Sequence, residues 1–263
     1  MDLGLKDKIA LITGASRGLG YATALLLASE GARVAINSRD DTSLQKARQK
    51  IEAATGAQVI AQSADVASPD SAQALIRFVA DHCNGLDILI TNAGGPPAGK
   101  FDSFSLDNWQ HAVNLNFLSA VNLIQSALPY LKRSQSPAVL TITSVSVKQP
   151  IDGLVLSNSV RAATVGLTKS LALELGKDGI RFNSILPGWT ATERVEQLMN
   201  HRAEQNHTTA GEEMQKITSQ IALGRMAKPE EFAHPAVFLV SPAASYITGV
   251  MLTVDGGFYR GTL

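Results

Sequence analysis

Gly14, Gly18 and Gly20 fall close together in the stretch Ile9–Gly20, IALITGASRGLG. Glycine allows the tight turn and the close backbone approach that a pyrophosphate needs, and the free N–H groups of a helix that follows point at the anion. The spacing is G-x-x-x-G-x-G rather than G-x-G-x-x-G, so the match is one of mechanism and not of letter. Arg17 lies inside this loop, and Arg39 follows Ser38 where a second short apolar run ends. In a nicotinamide dinucleotide site an acidic residue at that second place bonds the adenosine ribose hydroxyls, whereas a cation suits a 2′-phosphate. Ser38 and Arg39, with Arg17, therefore favour NADP(H) over NAD(H). The plain alternative is that both arginines are solvated surface charges.

Other polar or small residues stand where further apolar runs stop. Asp65 follows the third run and can accept a bond from an adenine amino group, or simply cap a helix. The fourth run exits into Asn92-Ala93-Gly94, where small residues let the backbone pass close to a cofactor and Asn92 can tie neighbouring strands. The sixth exits into Pro187-Gly188, then Thr190 and Thr192, hydroxyls suited to the carboxamide or phosphate of the same cofactor, or else a simple turn.

The elements that must position these residues alternate. Short runs rich in branched residues, Ile9–Ile12, Arg33–Asn37, Val59–Ala61, Asp87–Thr91, Ala138–Thr143, Ile180–Leu186 and Val250–Val254, read as strands. Helices are expected over Leu19–Ser29, from a cap at Asp41 or Thr42 to Gly56, from Ser68-Pro69 to Cys83, from a cap at Ser105 through Leu128, over Leu156–Leu175 and from Pro229. Residues 190–222 read as a polar, helix-prone insertion. Strands alternating with helices imply an α/β fold, a seven-stranded, doubly wound parallel sheet covered on both faces, with ligands bound beyond the carboxyl ends of the strands.

Composition sets the outer bounds. The 263 residues suit one α/β domain, and 45% hydrophobic content is ordinary for a globular chain. Lys+Arg and Asp+Glu both number 23, so no basic footprint points to nucleic acid or a membrane surface. No apolar run approaches the roughly 18 residues of a membrane span. One cysteine, Cys83, excludes an internal disulfide and reads as an inert helix residue. With no signal-peptide pattern, a reducing cytoplasm is the expected compartment.

Thr13-Gly14-Ala15-Ser16-Arg17-Gly18-Leu19-Gly20, Asp65-Val66, Asn92-Ala93-Gly94, Pro187-Gly188, Thr248-Gly249 and Val254-Asp255-Gly256-Gly257 together resemble the short-chain dehydrogenase/reductase family, in the manner of its 3-oxoacyl-carrier-protein reductase-like members, from residue 5 to about 258. The resemblance implies a Rossmann fold, a cytoplasmic oxidoreductase, and a cofactor held by Gly14, Ser16, Arg17, Gly18, Leu19, Gly20, Ser38, Arg39, Asp65, Val66, Asn92, Ala93, Gly94, Arg161, Pro187, Gly188, Thr190 and Thr192. It also implies a catalytic asparagine, serine, tyrosine and lysine. The asparagine maps to Asn116, with Asn114 as a rival, and the serine to Ser144. The tyrosine position is Ser157 and the lysine position Arg161, a register fixed by Gly166-Leu167-Thr168-Lys169. An alcohol is a far weaker acid than a phenol, and a guanidinium stays protonated. Losing a positioned acid costs about 10²–10⁴ in rate. Lys148, four residues after Ser144, is a candidate replacement donor or a surface lysine.

Three readings follow. The chain is an oxidoreductase with an altered proton donor; or a cofactor-binding sensor or scaffold; or it works on something other than a carbonyl, such as an activated double bond. The substrate pocket is expected from residues 94–104, 145–156 and 190–222, with Gly95-Pro96-Pro97 as a stiff wall and Trp189, Leu198 and Met199 as an apolar one. His201 and His207 lack metal-ligand spacing. The family resemblance further implies a homotetramer or homodimer, which the apolar stretches 117–128 and 162–175 fit as well as they fit core burial.

Overall fold

The computed structural model describes residues 2–262. In chain order the elements are β1 (Ile9–Ile12), α1 (Gly18–Ser29), β2 (Arg33–Ser38), α2 (Asp41–Thr55), β3 (Val59–Ser63), α3 (Pro69–Cys83), β4 (Ile88–Thr91), α4 (Leu106–Val113), α5 (Ser119–Leu131), β5 (Ala138–Ile142), α6 (Val155–Leu175), β6 (Arg181–Pro187), α7 (Glu193–Asn206), α8 (Ala210–Thr218), α9 (Pro229–Val240) and β7 (Met251–Val254). The seven strands form one parallel sheet in the order β3-β2-β1-β4-β5-β6-β7, with Ala10 facing Val34 on one side and Ile88 on the other. The strand order reverses between β1 and β4, which opens a crevice at their carboxyl ends.

Alternation along the strands feeds two cores. Ala10 and Ile12 of β1 pack with α1, α2 and α9, whereas Ile9 and Leu11 pack with α3, α5 and α6. Cys83 belongs to the second core, and burial pushes its thiol up, which keeps it protonated and unreactive. The hydroxyls of Thr141 on β5, Thr168 on α6 and Ser184 on β6 bond one another beneath the sheet surface, Thr141 to Thr168 at 3.0 Å and to Ser184 at 2.5 Å. This fixes α6 against two strands, and α6 carries Ser157 and Arg161.

Local differences from the sequence reading have local causes. The cap of α2 is Asp40, one residue before the two expected, and its carboxylate accepts from the Ser43 N–H at 2.7 Å. The long helix opened by Ser105 contains a π-helical stretch, Asn114–Leu118. It turns Leu115 and Asn116 inward and leaves Asn114 to accept from the Gln110 side chain on the outside. Residues 190–222 hold two helices, α7 and α8. Trp189, Leu198, Met199, Ile217, Ile221 and Phe258 give that region its own small core.

Candidate active site

The glycine loop is closed by side-chain bonds across the β1–β4 crevice. Thr13 Oγ1 donates to Asn92 O at 2.8 Å and accepts from the Asn92 N–H at 2.9 Å, while Asn92 Nδ2 donates to Gly14 O at 3.0 Å. Asn92 thus ties β4 to the loop after β1. A Cβ on Gly14, whose φ is +58°, would stand 2.8 Å from both Asn92 Nδ2 and Asn92 O; one on Gly20 would stand 2.5 Å from Gly14 O. Glycine is required at both places by space, and at Gly14 by angle as well. Helix α1 begins after Arg17 with no side chain bonded to its first N–H groups. Its N-terminus therefore keeps free donors aimed at the loop.

One cleft of about 1060 Å³ runs along the carboxyl ends of the strands. Its walls include Gly14, Ser16, Arg17, Gly18 and Leu19 from the loop, Ser38 and Arg39 from β2, Val66, and Asn92, Ala93 and Gly94. They continue through Ser144, Ser157 and Arg161 to Pro187, Gly188, Thr190 and Thr192. Gly20 lies just behind, where its missing side chain lets the loop close. Asp65 is exposed and accepts from the Ala67 N–H at 3.1 Å, the bond of a turn, and does not line the cleft between its lining neighbours Ala64 and Val66.

Among the candidate reacting groups, Ser144 Oγ accepts from the Ser146 N–H at 3.1 Å, which leaves its O–H free to donate into the cleft. The Ser157 hydroxyl has no protein partner among the described residues. Arg161 is 9% exposed; its Nη1 donates to Ile142 O and Thr143 O at 3.1 Å each and its Nη2 to Ala93 O at 3.4 Å. Burial first, and the charge of Arg194 second, lower the Arg161 guanidinium to about 10, still protonated at neutral pH. Asn116 is buried behind the wall, its Nδ2 donating to Gly94 O at 2.9 Å and its own carbonyl accepting from Thr164 at 2.8 Å. Lys148 is exposed, its Nζ 5.2 Å from the centre of the Tyr259 ring, and it is not on the cleft wall. The short 3₁₀ turn Val145–Val147 carries it away. Tyr21, Tyr130, Tyr246 and Tyr259 all lie off the wall too.

Three features of the site were not read from the sequence. Glu193 takes Arg17 in an ion pair at 2.5 Å, so Arg17 and Arg39 are not equivalent. Arg194 enters the cleft from α7 and donates to Pro96 O at 2.7 Å. Of the expected pocket segments only Gly94, Gly95 and Pro96, then Val145, Ile151 and Leu154, then residues up to Leu198 form walls. Met199 is fully buried in the small core, and His207 is the left-handed cap of α7. No cluster of potential metal ligands occurs among the described residues, and no helix among them is long and apolar enough to cross a membrane.

A dinucleotide fits this cleft on its own features. The glycine cradle has no room for side chains, the α1 N-terminus has free donors, and the buried Thr190 Oγ1 on the wall has no partner.

Comparison with known proteins agrees with this geometry. The family model described as enoyl-(acyl carrier protein) reductase matches residues 14–259. The 3-oxoacyl-[acyl-carrier-protein] reductase FabG of Staphylococcus aureus is 34% identical over 254 residues, 96% of this chain and 98% of that one. L-rhamnose 1-dehydrogenase (NAD(P)(+)) of a Sphingomonas species is 33% identical over 257 residues, 97% of each chain. L-sorbose reductase of Gluconobacter frateurii, solved with NADPH and L-sorbose, superposes with a TM-score of 0.94 at 31% identity, over 99% of this chain and all of that one.

Proposed function

The chain belongs to the short-chain dehydrogenase/reductase family of oxidoreductases, and on that premise we propose that it is an NADP(H)-dependent reductase of a small carbonyl compound, or the reverse alcohol dehydrogenase, with a hydroxyl-based proton path. The observation that carries the reading is that one cleft joins the glycine cradle and Arg39 to Ser144, Ser157 and Arg161. The NADPH bound to the L-sorbose reductase and the carbonyl chemistry named for the FabG relative support it.

When bound, a nicotinamide dinucleotide supplies or accepts the hydride. Gly14, Gly18 and the first turn of α1 would hold its pyrophosphate, Arg39 its 2′-phosphate, and Thr190 its carboxamide. The Ser144 O–H, freed by the Ser146 N–H, donates to the substrate oxygen. Arg161 lends positive charge as negative charge gathers on that oxygen, and one preorganised donor of this kind is worth about 10²–10³ in rate. The arginine cannot yield its proton. The proton comes instead through the Ser157 hydroxyl from water, a weaker acid than a phenol, so turnover is expected to be slow. The first two turns of α7 form the substrate-side cover, tied down by Arg202, which donates to Asp152 O at 3.2 Å and lies over the Trp189 ring. Dimers or tetramers through the outer faces of α5 and α6, where Leu118 just before α5 and Leu173 of α6 are exposed, belong to the same reading, and light scattering tests them.

The test is NADPH oxidation by the purified protein with a panel of ketones, 3-oxoacyl thioesters and quinones. Turnover should fall at least about 10²-fold in Ser144→Ala and survive Lys148→Ala. Tight NADPH binding with no turnover on any carbonyl would overturn the reading.

A further inference from the structure

Two guanidinium groups line the cleft and bond the same loop, Arg161 at Ala93 O and Arg194 at Pro96 O, and neither is paired with a carboxylate. Arg161 bonds only the carbonyls of Ile142, Thr143 and Ala93. Arg194 bonds only Pro96 O; its Nε and Nη2 lie 3.5 Å from where a Cβ on Gly95 would stand. Both line the cleft. The ion pairs among the described residues are Arg17–Glu193, Arg48–Glu52, Lys132–Asp178, Lys216–Glu213 and Arg225–Glu231, and neither arginine is among them. The nearest carboxylate in sequence, Glu193, is taken by Arg17.

Carbonyl dipoles orient a guanidinium but leave its net charge in place. Holding one buried without a counter-charge is costly, and a second cation nearby adds to the cost. That cost appears as a lowered affinity for the proton, from burial at Arg194 and from burial and then Arg194 at Arg161. The arrangement lacks one component, an anion. On the reading above, the cofactor's phosphates have their own cradle at the α1 N-terminus and Arg39. The same cleft is walled by Ile151, Leu154, Trp189 and Leu198, which suit a short carbon skeleton.

We propose that Arg161 and Arg194 bind the carboxylate of a small oxo acid, or of the matching hydroxy acid, so that the substrate is an anion. The planar fork of a guanidinium matches a carboxylate in a bidentate pair. Two guanidinium cations against one carboxylate leave one net positive charge, which with the Ser144 hydroxyl remains for the reacting oxygen. This assignment rests on the reductase reading and names the substrate class for it.

The experiment measures binding without turnover. The full-length protein, saturated with NADP⁺, is titrated calorimetrically with 2-oxobutyrate, acetoacetate and levulinate, with their methyl esters, and with dihydroxyacetone phosphate. At least one acid should bind about 10-fold or more tighter than its ester, and tighter than the phosphate. Arg194→Gln, at a residue that is mostly outside the core, should close that gap while thermal melting reports an intact fold. Acids binding no better than esters, a preference that survives Arg194→Gln, or a phosphate that binds tightest would each overturn the carboxylate site alone. A protein that binds neither NADP⁺ nor NADPH would overturn the reductase reading and this assignment together.

Discussion

Arg39 offers the cleanest test of cofactor choice, because the fold asks nothing of its charge. It is exposed at the end of β2 and forms no ion pair among the described residues; its backbone carbonyl accepts from Ser63 Oγ at 3.0 Å. The neighbouring Asp40 carboxylate is already used as the α2 cap, held below its ordinary range by the Ser43 bonds. Arg39→Ala should therefore change folding stability by no more than about 0.5 kcal/mol, the usual range for a surface site. A hydrogen bond to a charged group is worth about 1.5–3 kcal/mol. At 1.4 kcal/mol per decade, NADPH affinity should fall about 10- to 150-fold, while NADH affinity, which involves no 2′-phosphate, should move less than about twofold. Arg17→Ala should cost up to about fivefold less, since Arg17 must first give up an exposed ion pair with Glu193 worth up to about 1 kcal/mol. Titration of reduced-nicotinamide fluorescence at two salt concentrations measures both, and the NADPH loss should shrink as salt rises. Equal losses for NADH and NADPH, or no loss for either, would refute the assignment of Arg39 to a 2′-phosphate.

Gly14→Ala should destabilise the fold by about 2 kcal/mol or more in urea melts, because a Cβ there meets Asn92 at 2.8 Å with φ at +58°. Glu231 is held at about 2 by the hydrogen bond from Arg225, then by the Lys228 N–H. A folded pKa below the unfolded value of about 4.3 stabilises the protein above that value, and this contribution is lost as pH falls toward 2. The melting-temperature gap between the protein and Glu231→Gln should thus be full at pH 5–7 and close between about pH 4.5 and 2; a gap constant to pH 2 would contradict it. Ser157→Tyr combined with Arg161→Lys should raise turnover of a neutral ketone by about 10²–10⁴ if a missing phenol limits the rate. An unchanged rate would mean that proton supply is not the slow step.

What could be read from the sequence was what is local. Strand runs and helix N-caps fall within one or two residues of the bounds that the sequence implies, because alternation and capping act over neighbours. The glycine loop, Ser38-Arg39 and Asn92–Gly94 were legible because each needs only its own segment to sit at a strand exit. The α2 cap lies one residue before the expected Asp41 or Thr42, because Asp40, Asp41 and Thr42 are all competent caps and only the chain direction leaving β2 selects among them. Asn116 is favoured over Asn114 by its seven-residue spacing from Trp109, and the structure turns Asn116 inward through a π-helical stretch that the sequence does not announce. The Arg17–Glu193 pair spans 176 residues and Arg194–Pro96 spans 98, so neither partner announces the other. Lys148 is near Ser144 in sequence but not in space, since one 3₁₀ turn, Val145–Val147, points it at Tyr259.

Position 161 joins these threads, since its residue has two duties that a lysine could not both perform. As a fork it bridges carbonyls at the ends of β4 and β5, Ala93 on one side and Ile142 and Thr143 on the other, and so sets the width of the crevice beside Ser144. As a cation it lines the same cleft as Arg194. A lysine has one nitrogen and no planar fork, so Arg161→Lys alone should loosen the β4–β5 exit even where it keeps the charge. Ser157, one helical turn earlier on the same wall, leaves open the room that a tyrosine would fill. On the proposed reading the pair Ser157 and Arg161 therefore exchanges a strong proton donor for space and positive charge, which is the exchange a small anionic substrate would favour.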